Sequence, residues 1–165
     1  MLTALATWLH ATPLGWAASG GVPWLEPACK VLHFVGLVLL VGCVGAFDLR
    51  VLGIAKNLPV APLQKLTPFA VLGFLINLAT GIAFFAGNPA QYLDNVAFWL
   101  KMLFVVLAGS NALLFYAGGV RRSIAHVGAG DDAPLVAKTV AAASLFLWVG
   151  VIYWGRMLAY IGNAF

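Results

Sequence analysis

The stretch from Pro27 to Leu52, PACKVLHFVGLVLLVGCVGAFDLRVL, decides the architecture. Between Lys30 and Asp48 it holds no Lys, Arg, Asp or Glu and is rich in Val, Leu and Gly. A helix crosses the hydrocarbon core with about 20 predominantly apolar residues, so this run reads as a transmembrane span. Working outward, the same pattern recurs three times. A span over about 67–87 opens at Thr67-Pro68 and stops at Gly87-Asn88-Pro89; a third covers about 96–117 and is closed by Gly118-Gly119; a fourth covers about 135–160. Proline at a helix start and a Gly/Asn/Pro cluster after its end are ordinary boundary signals.

Composition agrees. Of 165 residues, 63% are hydrophobic and 8% charged, against about 25% charged in soluble domains. The predicted fold is therefore all-α and integral to the membrane, a four-helix transmembrane bundle occupying residues 21–165, with its short connections favouring an up-down-up-down order. No length remains for a soluble catalytic domain, so any chemistry lies in or at the bilayer. In residues 1–20, Leu2, Leu5, Trp8 and Leu9 recur at helical spacing, which predicts a short amphipathic helix lying in the interface. This segment lacks the basic start of a cleaved leader.

The net charge of +4 carries topology rather than a nucleic-acid surface, because the basic residues are scattered and no nucleic-acid-binding motif is present. Lys56 and Lys65 fall in the first connection and Arg121, Arg122 and Lys138 in or beside the third, whereas the second carries only Asp94. The positive-inside rule places the basic connections in the cytoplasm and both termini outside, the periplasm of a bacterial inner membrane. Trp24, Trp99, Trp154, Tyr92 and Tyr160 then gather at the outer boundary as an aromatic belt. Cys29 and Cys43 share one helix and stand roughly 21 Å apart, too far to pair.

Ionisable groups inside a span are costly and mark function by default. His33, Lys101 and Arg156 lie on three different spans, each roughly 6–9 Å below the outer boundary at about 1.5 Å per residue. Arg156, Tyr160 and Asn163 share a helical face. Beside His33, the apolar wall of Leu37, Leu40 and Phe47 with Gly36 on its flank offers a notch for a flat ligand, and imidazole is a common haem ligand and proton shuttle. The bland alternatives are a histidine bonded to a neighbouring helix and cations that snorkel to the interface. Asn77 and Asn111, set among small residues, read as interhelical hydrogen-bonding groups. Asp48 and Arg50 read as a charge pair or as snorkelling groups, and His126 as a solvated loop residue.

The runs His33-Phe34-Val35-Gly36, Asp48-Leu49-Arg50-Val51-Leu52-Gly53, Phe98-Trp99-Leu100-Lys101-Met102-Leu103 and Gly155-Arg156-Met157-Leu158-Ala159-Tyr160 resemble an uncharacterised bacterial family of small four-helix membrane proteins. More remotely the arrangement is similar to CopD-like copper-resistance membrane domains and to HemJ-type protoporphyrinogen oxidases, with His33, Arg50 and Lys101 at matching places. Asn111-Ala112-Leu113-Leu114 stands where the latter carry a Tyr-His pair. The HemJ-type resemblance implies a membrane oxidoreductase that binds b-type haem. His33 would be the metal ligand and Gly36 would make room for the macrocycle. Lys101 and Arg156 would be catalytic and, with Tyr160, would hold propionates or a quinone. The CopD-like resemblance implies copper or small-solute handling instead, and a small-residue packing surface would suit a subunit of a larger membrane complex. All three readings have the lipid bilayer as a partner.

Overall fold

The computed structural model describes residues 2–161. Nine α-helices follow one another: α1 (Leu2–His10), α2 (Pro13–Trp16), α3 (Leu25–Leu52), α4 (Val60–Gln64), α5 (Thr67–Gly87), α6 (Pro89–Leu93), α7 (Val96–Ala117), α8 (Val120–Ser123) and α9 (Leu135–Met157). A π-helical turn over Ala17–Gly21 joins α2 to the approach to α3. Four segments are long and apolar enough to cross a membrane, built on α3, α4–α5, α7 and α9. The all-α membrane bundle is thus present, with the first span beginning two residues before Pro27 and the fourth ending as regular helix at Met157. Asn163 lies outside the described residues, as do the side chains of Leu2 and Leu5.

Burial is inverted relative to a soluble domain. Phe34, Val106, Leu113 and Phe146 are each about two-thirds exposed, while the buried face of α5 is Ala70, Gly73, Thr80, Ala83, Ala86 and Gly87. Small residues let helix backbones approach where lipid removes any hydrophobic drive between helices, and the large side chains are left to meet acyl chains. α3 packs chiefly on α5 and α7 chiefly on α9, while α3 also meets α9. The result is two helix pairs joined along α3 and α9. Between α5 and α7 contact is made by side chains at the two ends, through the stacked rings of Phe85 and Phe98, 5.8 Å apart, and the hydroxyls of Tyr116 and Thr67, 3.4 Å apart.

The α3/α5 crossing is glycine-made. A Cβ on Gly73 would lie 2.7 Å from both the Gly36 carbonyl oxygen and the Leu40 nitrogen, and one on Gly36 would lie 2.7 Å from Asn77 Nδ2. Asn77 donates to Gly73 O of its own helix at 2.9 Å, so its predicted bond across the interface is replaced by a contact over Gly36. Asn111 does bond across, to Val140 O of α9 at 3.1 Å.

The two ends are closed differently. At the end bearing the termini, buried Asn95 accepts from Ala97 N at 2.9 Å, capping α7, and donates to Leu158 O and Ile161 O at the finish of α9. The N-terminal helices pack against α5 and α6, with Ala18 lying on Gly87. At the opposite end Gly53, with φ +102°, ends α3 in the left-handed conformation that glycine adopts without a steric penalty. Beyond it Val51, Val60, Val120, Ile124 and Ala137 form a sealed apolar cluster under the two connections.

Candidate functional site

His33 faces α5. Its Nδ1 lies 2.7 Å from Thr80 Oγ1, and the Thr80 hydroxyl is itself 2.7 Å from Ile76 O, one turn back on α5. The Thr80 hydroxyl has one proton; directed to Ile76 O, it leaves the oxygen lone pair to accept from Nδ1–H of His33. In the neutral ring this leaves Nε2 with a free lone pair, the tautomer suited to ligating a metal or taking a proton. Phe84 packs against the imidazole with ring centres 5.5 Å apart, and a Cβ on Gly81 would lie 4.0 Å from Cε1.

Lys101 of α7 extends across α9, its Cε 3.6 Å and its Nζ 3.7 Å from where a Gly155 Cβ would stand. A methyl there would meet the Lys101 stem at ordinary van der Waals distance. Among the described residues its ammonium has no hydrogen-bond or ion-pair partner, and it lies within electrostatic range of His33. Arg156 behaves differently. It is exposed, donates to Tyr160 Oη at 2.8 Å and sits 5.1 Å from that ring's centre, so it is occupied along its own helix. Arg156 and Tyr160 are thus held to each other, and Lys101 bears on His33 through charge at a distance rather than through a hydrogen bond. Gly36 requires a correction: the predicted notch is filled by Ile76, Asn77 and the Gly73 carbonyl, because α5 crosses there.

The Asp48–Arg50 reading also changes. Arg50 is 1% exposed and makes no ion pair with Asp48; its guanidinium donates to the carbonyl of Leu58, to Gly128 O at 2.8 Å and to Asp131 O at 3.3 Å. It binds the first and third connections together. Asp48, 5% exposed, turns instead toward a cavity of about 240 Å³ enclosed by all four spans, whose walls include Thr67, Asn111, Tyr116, Arg121 and Ser144. Its Oδ2 is buried without a hydrogen-bond partner, and Ser144 stands within hydrogen-bonding reach of the carboxyl. Sequence reasoning missed this cavity. The signal available was the recurrence of polar residues at 48, 67, 111 and 144 at one depth, two of them in runs of alanine and glycine.

In the third connection Asp132 carries two ion pairs, to Lys138 at 2.7 Å and Lys56 at 3.1 Å. The hydrogen bonds from Lys138 and then Lys56 hold its carboxyl below the ordinary 3.8. His126 is exposed, as expected of a loop residue. Cys29 and Cys43 are both free thiols. Among the described residues no three His, Cys, Asp or Glu side chains gather as a metal site.

No curated protein and no solved structure matches the chain. Residues 7–161, which take in every span as well as both the His33 and Asp48 neighbourhoods, match a family of unknown function, DUF6644, and the chain belongs to that family.

Proposed function

We propose that the half of the bundle nearer the termini binds a planar, carboxylate-bearing redox ligand, and that b-type haem, taking His33 and Lys101, is the member of this class the donor set suits best. The observation that carries the reading is the Ile76–Thr80–His33 hydrogen-bond chain, which leaves Nε2 of His33 free. The donor set would offer His33 to the iron and, to one propionate, the Lys101 ammonium, which has no hydrogen-bond or ion-pair partner among the described residues. His10 and His126 stand outside the four spans, so the arrangement supports single-histidine ligation. When bound, haem supplies one-electron chemistry. The chain's own part is to fix the imidazole through Thr80, to balance a carboxylate through Lys101 and to exclude water with Phe84. A quinone would accept a hydrogen bond from the Lys101 ammonium, and its reduced hydroxyl form would donate to Nε2 of His33 instead. Arg156 and Tyr160, paired with each other, suit the membrane boundary and are left out of ligation. With the basic connections in the cytoplasm, the site faces the periplasmic leaflet of an inner membrane.

A reduced-minus-oxidised visible spectrum of the protein purified in mild detergent from haem-replete cells tests this. A stoichiometric b-type signal is expected; it is lost in His33→Ala, while Thr80→Val lowers haem affinity by about tenfold or more through the freed imidazole. A colourless preparation, or an unchanged spectrum in His33→Ala, overturns the reading. Small-solute handling is the second reading, favoured by the cavity at Asp48.

A further inference from the structure

The Asp48 cavity lies at the other end of the bundle from His33, and nothing in the proposed haem site uses it. A buried carboxylate must be neutralised by a proton or matched by a cation with hydrogen bonds, because an unpaired ionised group in a low-dielectric interior is too costly to persist. Among the described residues no cation forms an ion pair with Asp48. Arg50, two residues along, donates to three carbonyls through Nε and Nη2 and has its Nη1 buried without a partner, and Arg121, at the cavity's edge, is exposed and lies 5.7 Å from the centre of the Tyr116 ring. Lys56 and Lys138 are held by Asp132.

Asn111 donates one of its two amide N–H groups to Val140 O, and its carbonyl oxygen and the Ser144 and Thr67 hydroxyl oxygens in the same wall can accept hydrogen bonds. Most of the remaining wall is apolar, supplied by side chains such as Val44, Phe47, Leu66 and Phe115. A bare or hydrated metal ion is poorly served by such walls, whereas an ammonium head on a short hydrocarbon tail matches both parts. The Tyr116–Thr67 hydroxyl contact joins α5 to α7 in the cavity wall.

We propose that this cavity is a binding site for a small aliphatic ammonium compound, with Asp48 as its charge partner, Ser144 and Asn111 as hydrogen-bond acceptors, and Arg121 at the mouth. Arg121 repels a second positive charge, so monoamines are preferred to diamines, and an amine carrying an acid group gains from it.

The test is calorimetric titration of the full chain in mild detergent with n-butylammonium chloride, using n-butanol and sodium chloride as controls. Saturable binding of the ammonium alone is expected. Asp48→Asn, nearly isosteric, loses it; Ser144→Ala weakens it about fivefold, the worth of one hydrogen bond, and serves should Asp48→Asn fail to fold. Arg121→Ala binds at least as tightly as the parent, since a like charge has gone from the mouth. His33→Ala binds normally, which separates this site from the haem proposal. Absence of binding, equal binding of butanol or sodium, binding unchanged in Asp48→Asn or Ser144→Ala, or weaker binding in Arg121→Ala overturns the assignment.

Discussion

The two halves of this bundle use the same small-residue vocabulary to opposite ends. Around His33 the α3 and α5 backbones close on each other through Gly36 and Gly73, and the interior there is backbone against backbone with a single side-chain hydrogen bond between the two helices, His33 to Thr80. Around Asp48 the four spans enclose a cavity, and the end is sealed below it by the Arg50 clamp and the Val51–Ile124 cluster. Tight crossing fixes one side chain's orientation; enclosure makes room. The contrast sets a histidine held by one hydrogen bond in the first half against a buried carboxylate bordering a cavity in the second.

The sharpest way to break that contrast is at Arg50. Arg50→Ala leaves the Leu58, Gly128 and Asp131 carbonyls unmatched beneath the cavity and is expected to cost about 3–5 kcal/mol of unfolding free energy in detergent. Arg50→Lys restores only part of this, because an ammonium lacks the planar fork that reaches separate acceptors. If the clamp is what closes the cavity, ammonium binding falls with stability while His33 keeps its environment. Next comes the crossing itself. Gly73→Ala puts a methyl 2.7 Å from two backbone atoms of α3, and prying the helices apart is expected to cost about 1–3 kcal/mol, read by the same unfolding measurement. Its effect falls on the His33–Thr80 bond and spares the Asp48 end.

The smallest effect is the pH dependence of the clamp's outer rim. Asp132 has a folded pKa below 3.8, so its ion pairs contribute above that value and are lost as pH falls through the lower folded value. The connections are therefore expected to loosen in acid, seen as faster amide exchange near Gly130, whose N–H donates to Lys56 O at 2.8 Å. Asp132→Asn removes the pH dependence. Because the carboxyl is exposed, added salt also shrinks the effect.

The spans were legible because hydropathy and boundary residues are local properties, and the structure returns each of them within a few residues. The assignment of His33 and Lys101 to two different spans was legible too, since it follows from residue count alone. What could not be read is what depends on helix rotation. Gly36 looked like a vacancy because sequence places it beside His33 but does not say that α5 passes over it. Arg50 looked like a snorkelling group because its three acceptors come from residues up to 81 positions away in the chain. Asp48 looked like its partner because the two are neighbours in sequence, although the helical turn between them points one at the connections and the other into the cavity.

Arg50 also sets an order on the protein's making. When the first two spans enter the bilayer, the guanidinium has the Leu58 carbonyl within reach, but Gly128 and Asp131 have yet to be synthesised. Until the third connection arrives, a charged group at the membrane edge is held by one acceptor and water. The first hairpin is thus inserted in an unfinished state that only the last hairpin completes, and a chain truncated after the third span would present quality-control proteases with an arginine still searching for its seat.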